Sequence, residues 1–263
     1  MNNNYAARAS AALMRSVSQQ DYGCCVYVLW TRENMNSNNK TARVAGFLYL
    51  LTVVTGAFSL LYVPSQINVH GDATATVNNI MSSESLFRIG IAVGLLGFAV
   101  FLLLPLVLYR LLSPVHRNAA VLMVTFAMIS VPIDFVAIAN QLDILSLLHG
   151  NVYQQVFAPD QLQAKVMLSL DAYHNKIFVS EVFWGLWLLP FGYLVFKSGF
   201  LPKVLGILLM MGCFSYLIGF FGGALFPQYT IPSFVMLPAS LGEIGICLWL
   251  LIIGVRTPAH GTG

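Results

Sequence analysis

Six long apolar runs, separated by polar segments, dominate the pattern of this chain. Each run holds about 20 mainly apolar residues, the length that a helix needs to cross the hydrocarbon core of a bilayer. A β-barrel is not indicated, because its strands would be alternating segments of about ten residues. The pattern predicts six transmembrane helices, over Val44–Val63, Ile89–Tyr109, Asn118–Asn140, Ile177–Phe196, Val204–Leu225 and Phe234–Val255.

The composition agrees with a protein that is surrounded by lipid. Apolar residues make up 58% of the chain and charged residues only 9%, whereas soluble domains carry about a quarter charged residues. We therefore predict an all-α, polytopic membrane helix bundle over residues 35–256, with the lipid bilayer as its expected partner. The formal charge of +3 is not concentrated on one soluble face, so a nucleic acid is not an expected partner.

The first 34 residues differ from the rest of the chain. They are polar and mixed except for a short apolar patch, Cys24 to Trp30, which is too short to cross a membrane. Met35 opens a polar stretch that leads directly into the first predicted span. We interpret residues 1–34 as a disordered tail or a gene-model extension, and residues 257–263 as a cytoplasmic tail.

The basic residues predict an orientation. Beyond residue 34, seven lysines and arginines fall on one side of the predicted spans and three on the other. Because cytoplasmic loops are enriched in these residues, we expect both termini in the cytoplasm of a multi-pass protein of the inner (plasma) membrane. The seven are Lys40, Arg43, Arg110, Arg117, Lys197, Lys203 and Arg256, and the three are Arg88, Lys165 and Lys176. The loops 64–84 and 141–175 would then be extracytoplasmic.

Short sequence matches suggest an internal repeat of three helical hairpins. The first span opens Arg43-Val-Ala-Gly46 and the fifth opens Lys203-Val-Leu-Gly206. Arg88-Ile-Gly-Ile near the second span resembles Glu243-Ile-Gly-Ile in the sixth. Internal repeats are common in membrane folds, but apolar helices share a small alphabet, so chance matches are the alternative.

Three acids, Asp134, Glu181 and Glu243, fall inside predicted spans. An ionisable side chain at the centre of a membrane helix costs at least about 2.5–3.5 kcal/mol, so each should face the bundle or water. Asp134 shares a helical face with Ser130, Ala137 and Gln141. The acids are interpreted either as a proton, cation or polar-substrate site, or as hydrogen-bonded contacts between helices.

Two of the charged residues carry more detailed expectations. Glu243 lies beside Gly242 and Gly245, where another backbone can approach, so we expect it to face the bundle and to bond a Ser, an Asn or Arg88. Arg88 is expected to reach the membrane surface or pair with Glu84, with a longer reach to Asp134 or Glu181 as the alternative. The candidate site residues are Arg88, Asp134, Gln141, Glu181 and Glu243.

Motifs for metal, cofactor or catalytic chemistry are weak. Asp171 and His174 lie three residues apart with His149 in the same loop, but a metal site needs three or four converging ligands. Walker, Rossmann and Gly-x-Ser-x-Gly patterns are absent from the sequence. No metal and no cofactor are predicted, and no catalytic residue is assigned.

Three stretches of the sequence resemble a known family. They are Thr41-Ala-Arg43-Val-Ala-Gly46-Phe-Leu-Tyr-Leu, Ser83-Glu-Ser-Leu-Phe-Arg88-Ile-Gly90, and the segment from Phe183 to Gly206 that contains Trp-Gly-Leu-Trp-Leu-Leu-Pro190. Over residues 36–256 the chain resembles the bacterial membrane family catalogued as domain of unknown function 4386. It departs from the family's pattern at Lys203 and around Asn175–Ser180. The resemblance implies a multi-span protein of the bacterial inner membrane and carries no activity.

Three functions are compatible with the sequence. The first is a small transporter or permease that uses the buried acids, which requires them to line a polar cavity. The second is a non-enzymatic membrane component, which predicts dry packing throughout. The alternative to both is an intramembrane enzyme at the extracytoplasmic helix ends, which needs a nucleophile or metal ligands in one pocket. Non-enzymatic function is favoured; a homo-oligomer and a small-molecule or ion ligand both remain open.

Overall fold

The computed structural model describes residues 37–69 and 71–256, and the interpretations of residues 1–34, of Met35 and of residues 257–263 lie outside this part of the chain. From Thr41 onward the described residues form one compact unit. The described residues contain helices and no strand, so the predicted all-α membrane bundle is confirmed.

Six helices in the described part of the chain are long and apolar enough to cross a membrane. Their cores coincide with the six predicted spans. The helices are α1 (Ser37–Ile67), α2 (Ala73–Ser82), α3 (Glu84–Leu112), α4 (Arg117–His149), α5 (Asn151–Val156), α6 (Pro159–Lys197), α7 (Lys203–Leu225) and α8 (Ser233–Ile253), of which α2 and α5 are the two short ones.

The predicted loops 64–84 and 141–175 are largely helical. Helix α4 continues to His149, and α6 already begins at Pro159, so that α6 is 39 residues long. At 1.5 Å per residue α6 measures about 58 Å, roughly twice the thickness of the hydrocarbon core. Polar residues such as Asp160 and Lys165 suggested a loop, but they occupy the part of α6 that exceeds the membrane thickness.

Helix α2 is fixed to the bundle by its own polar residues. The Asp72 carboxylate accepts a hydrogen bond from the backbone N–H of Ala75 at 2.8 Å and caps the helix. The amide of Asn79 donates to the Ile67 carbonyl at 3.1 Å, which ties α2 to the end of α1. Val77 and Ile80 then bury their side chains in the core, so the first predicted loop forms part of the folded unit.

The spanning helices pack against their neighbours in chain order, and α4 makes its largest contact with α6. Close approaches occur where glycine leaves room for another backbone. Gly192 on α6 faces Gly206 on α7, and Gly212 on α7 faces the backbone of Ala239 on α8. Gly46 on α1 lies against the backbone of Leu250 and Leu251 on α8, which closes the bundle.

Candidate functional site

Glu243 on α8 accepts hydrogen bonds from two tyrosines that belong to two other helices. The Tyr49 hydroxyl on α1 donates to Oε2 at 3.1 Å, and the Tyr216 hydroxyl on α7 donates to Oε1 at 3.1 Å. Tyr49 is almost completely buried, while Glu243 and Tyr216 are half-buried. The carboxylate therefore joins α1, α7 and α8 at one point.

The local sequence explains why the three helices meet there. Gly242 lies against the backbone of Leu208 and Leu209, and Gly245 against the side chain of Leu205, so α8 packs closely on α7. The Cys247 thiol donates to the Gly46 carbonyl at 3.7 Å, which holds α1 against α8. Small residues thus bring both tyrosine-bearing helices within reach of the carboxylate.

Glu243 has no cationic partner among the described residues. The described ion pairs join Glu84 to Arg88 and to His149 and leave Glu243 out. Hydrogen bonds to a carboxylate are stronger than neutral ones, but two tyrosine hydroxyls cannot neutralise its charge. A carboxylate inside a membrane bundle is costly, so a proton, water or a cation in the adjacent cavity would complete this site.

The carboxylate faces a cavity of about 150 Å³ inside the bundle. Helices α1, α3, α6, α7 and α8 all contribute to its wall. The polar part of the wall consists of Tyr49, Thr52, Thr55, Ser59, Tyr216 and Glu243. The aromatic part consists of Phe98, Phe101, Trp184 and Trp187.

The hydroxyl groups of α1 present oxygen lone pairs to the cavity. Thr52 donates its proton to the Leu48 carbonyl at 3.0 Å, Thr55 to the Leu51 carbonyl at 2.7 Å, and Ser59 to the Thr55 carbonyl at 2.9 Å. The two tyrosine protons point to Glu243. Since these donors are already used, the oxygen atoms of the wall are left to act as hydrogen-bond acceptors.

Helix α1 changes to π-helical geometry over Ala57–Tyr62, beside the cavity. Ser59 and Leu60, which line the cavity, belong to this segment. π-helical turns are rare in proteins, and those that occur are often found at functional sites. This π-helical segment was not predicted from the sequence, and neither was a site role for Tyr49, Tyr216 or the hydroxyls of Thr52, Thr55 and Ser59. The spacing of the hydroxyls, which places them on one face of α1, was the signal that could have found them.

Asp134 is fully buried, and neither of its carboxylate oxygens has a hydrogen-bond partner in the described part of the chain. The nearest side-chain donors are Ser180, Trp184 and Ser130, of which the Ser130 hydroxyl bonds the Ala127 carbonyl at 3.0 Å. Ser130, Ala137 and Gln141 are buried on the same face, as the spacing predicted. Asp134 does not line the cavity at Glu243.

The other candidate residues are spread over the molecule. Glu181 is half-buried on α6 and does not line the cavity. Arg88 donates to Glu84 at 2.5 Å, and the second oxygen of Glu84 lies 2.9 Å from His149 Nε2. The longer reach of Arg88 to Asp134 or Glu181 is therefore not formed, and Glu243 is bound by tyrosines where a Ser, an Asn or Arg88 was expected.

Comparisons with known proteins identify a family. The model of a family described as "Domain of unknown function (DUF4386)" matches residues 44–254. An uncharacterized protein from Archaeoglobus fulgidus is 26% identical over 147 residues, which cover 56% of this chain and 72% of that protein. No solved structure matches the chain. The family model covers most of the chain, including all of the six described spanning helices except the start of α1, so the chain belongs to the family catalogued as domain of unknown function 4386.

Proposed function

We propose that this protein is a small-solute permease, and that its solute site is the cavity at Glu243. The observation that carries the proposal is a carboxylate without a cationic partner that opens into a cavity within the membrane bundle. Ionisable residues inside membrane helices commonly mark substrate, ion or proton pathways. Here the carboxylate, the two tyrosines and the hydroxyls of α1 form a polar wall in a bundle whose core is mainly apolar.

The cavity distinguishes this proposal from a purely structural component. A structural component would need only dry helix contacts, and Glu243 would then be enclosed by packed side chains. Space of about 150 Å³ next to a charged group is sufficient for about five water molecules at their liquid volume. A cavity with polar walls is thus available to a solute or to water.

The enzymatic alternative receives less support. In the described part of the chain, no group of three His, Cys, Asp or Glu residues is arranged to hold a metal ion. Asp134 and Glu181 do not join Glu243 in the cavity, so paired carboxylates for acid–base chemistry are not brought together there. Binding and passage of a solute is the function that one carboxylate in a cavity supports best.

For the orientation, we propose that both termini lie in the cytoplasm of a bacterial inner membrane. The support is the excess of lysine and arginine on one side of the bundle, which includes Arg110, Lys197 and Lys203. The loops of that side are short: residues 113–116 separate α3 from α4, and residues 198–202 separate α6 from α7.

The proposal is tested by binding and uptake with a defined panel of solutes. The panel is sodium, potassium, ammonium and methylammonium chloride, glycine and glycerol, each added to the purified protein in detergent. A solute present at a concentration of 100 times its Kd should raise the free energy of unfolding by about 2.7 kcal/mol. A thermal unfolding scan detects a change of this size. The binding solute should then enter proteoliposomes that contain the protein and not protein-free liposomes.

Glu243→Gln is the decisive variant, and Glu181→Gln is its matched control. Gln keeps the shape of Glu243 and can still bond the tyrosines, so the variant should unfold near the parent temperature yet lose the solute effect. Glu181→Gln removes a half-buried acid outside the cavity. This variant should still be stabilised by the solute. Stabilisation that persists in Glu243→Gln, or a panel in which no solute binds or enters the liposomes, would overturn the proposal.

A further inference from the structure

Two chemically different walls meet in the cavity at Glu243. Helices α1, α7 and α8 supply oxygen atoms, and α3 and α6 supply aromatic rings. We infer that the solute is a small organic ammonium cation, such as a methylated or alkylated amine of no more than about six heavy atoms. The inference rests on the proposed permease function and names its substrate class.

The oxygen wall selects for positive charge. The hydroxyl protons of Thr52, Thr55 and Ser59 bond to carbonyls of their own helix, and the tyrosine protons bond to Glu243. These oxygen atoms therefore meet a solute as acceptors. An anion would face the Glu243 carboxylate directly, whereas an ammonium group would neutralise it.

The aromatic wall selects for an organic cation. Ammonium groups are attracted to the faces of Trp, Tyr and Phe rings, and quaternary ammonium ligands are recognised by cages of such rings. Phe98 pairs with Trp184 at a centroid distance of 6.4 Å, and Phe101 meets Trp187 edge to face at 5.4 Å. Trp187 also stacks on Phe191 at 5.2 Å, so the rings are held before a solute binds.

A bare metal cation fits this wall less well. Hard cations such as Ca²⁺ and Mg²⁺ take about six or more oxygen ligands, and in the cavity the rings of Phe98, Phe101, Trp184 and Trp187 make up a large part of the lining. An alkylammonium ion matches both kinds of lining, because its charge suits the carboxylate and its carbon atoms suit the rings.

Glycines set the size of the cavity. A Cβ atom on Gly97 would lie 2.5 Å from Thr55 Oγ1, and one on Gly94 would lie 3.4 Å from Cβ of Ser59. These glycines bring α3 close to α1. The volume of about 150 Å³ equals that of an engineered cavity that holds benzene. Tetramethylammonium, with five heavy atoms, fits this limit.

The experiment measures binding of three small molecules to the full-length protein in lipid nanodiscs. Tetramethylammonium chloride, sodium chloride and tert-butanol are titrated in a calorimeter, with tryptophan fluorescence as a second signal. Tert-butanol has the same number of heavy atoms as tetramethylammonium and no charge. Tetramethylammonium should bind with a saturable signal and change the fluorescence, while sodium chloride and tert-butanol should not.

Substitutions assign the binding to each wall. Glu243→Gln should weaken tetramethylammonium binding by about 10- to 150-fold, since it removes a charged contact. Phe98→Leu should weaken it by about 2- to 30-fold. Phe221→Leu, at a side chain on α7 that is 52% exposed on the surface of the bundle, is the matched control and should leave binding unchanged.

A size variant keeps the inference testable if a core variant fails to fold. Gly56 lines the cavity, and a Cβ atom there would meet no atom within 4 Å. Gly56→Leu should therefore fold, exclude tetramethylammonium and still bind the smaller methylammonium. Unchanged tetramethylammonium binding in this variant would contradict the size limit and overturn the inference.

The outcomes separate this inference from the proposed function. If sodium ions or tert-butanol bind in a Glu243-dependent way and tetramethylammonium does not, the substrate class is wrong and the solute site remains. If tert-butanol binds as well as tetramethylammonium, charge plays no part and the inference fails. If none of these solutes and none of the earlier panel binds, both the inference and the proposed function are wrong.

Discussion

Tyr49 and Tyr216 have the same role, because each hydroxyl donates a hydrogen bond to one oxygen of the Glu243 carboxylate. Neither hydroxyl has an alternative hydrogen-bond acceptor in the described contacts. The pair fixes the rotamer of Glu243 and thereby the direction in which the charge faces the cavity. Removing a tyrosine hydroxyl should therefore affect both stability and solute binding.

Tyr49→Phe and Tyr216→Phe should each lower the free energy of unfolding by about 1.5–3 kcal/mol, the range for hydrogen bonds to charged groups. Unfolding by titration with sodium dodecyl sulfate in mixed micelles measures this change. Tyr229→Phe, at a side chain that is 70% exposed, is the control and should stay within about 0.5 kcal/mol of the parent. If Tyr49→Phe changes the free energy of unfolding no more than Tyr229→Phe does, the hydrogen bond to Glu243 does not contribute to stability.

The placement of Glu243 in the bundle could be predicted from its own sequence, but its partners could not. Gly242 and Gly245 indicate that another backbone approaches beside it, as the structure shows. Tyr49 lies 194 positions away, and no local pattern indicates which of the helices will face each other. A tyrosine in an apolar run is also indistinguishable from any other packing aromatic until a polar partner is in place.

Asp134 differs from Glu243, because the structure shows no hydrogen-bond partner for its carboxylate among the described residues. Its burial on one face with Ser130 and Gln141 follows from helical spacing and agrees with the structure. The spacing cannot show whether the carboxyl oxygens find donors, because that depends on rotamers on two helices. In the described part of the chain both oxygens are without a hydrogen-bond partner.

At the scale of helices, the apolar runs were sufficient to place the spans, but not to find where the helices end. A helix that extends beyond the membrane keeps its backbone hydrogen bonds while its side chains become polar. Hydropathy therefore locates the part of a helix that lies in the membrane and does not show where the helix ends. This explains why α6 begins at Pro159, although the predicted span begins at Ile177. The same reason applies to α4, which continues to His149.

Two glycines on α7, Gly206 and Gly219, differ in how closely another helix approaches them. They therefore form a matched pair for testing a tight helix contact. A Cβ atom on Gly206 would lie 2.7 Å from both the Gly192 carbonyl oxygen and the Phe196 backbone nitrogen, whereas one on Gly219 would meet no atom within 4 Å. Gly206→Ala should therefore force α6 and α7 apart and cost about 1–3 kcal/mol. Gly219→Ala should be neutral or stabilising by up to about 1 kcal/mol, since Ala favours helix.

Unfolding in mixed micelles distinguishes the two variants under the same conditions. Both add one methyl group to the same helix, so differences in helix propensity and hydrophobicity cancel between them. Equal stability of Gly206→Ala and Gly219→Ala would mean that the approach of α7 to α6 at Gly192 is not a tight contact.

At the scale of the whole molecule, the contact between Gly46 on α1 and the backbone of α8 closes the bundle. The predicted hairpin repeat stays a prediction, but two of its matched positions have the same kind of neighbour. Gly46 on α1 faces the backbone of α8, and Gly206 on α7 faces the backbone of α6. Each glycine follows a basic residue by three positions, which places a close helix contact near the same end of both helices.

The orientation of the whole bundle gives the last prediction. Alkaline phosphatase is active only outside the cytoplasm, and green fluorescent protein is fluorescent only inside it, so fusions of both reporters at each point give opposite signals. Fusions after Ser113, Ser198 and Gly263 should report the cytoplasm, and fusions after Asn68, Ala158 and Pro227 should report the outside, because the first group follows the basic side of the bundle. The points 68, 113, 158, 198 and 227 lie between helices, so the preceding helices stay intact. A variant in which Arg43 and Arg110 are both replaced by Gln is the control for the cause, and it should weaken the cytoplasmic signal after Ser113, because both residues precede that fusion point. An external signal after Gly263 together with a cytoplasmic signal after Pro227 would reverse the orientation, and it would mean that the lysines and arginines of this chain do not determine its topology.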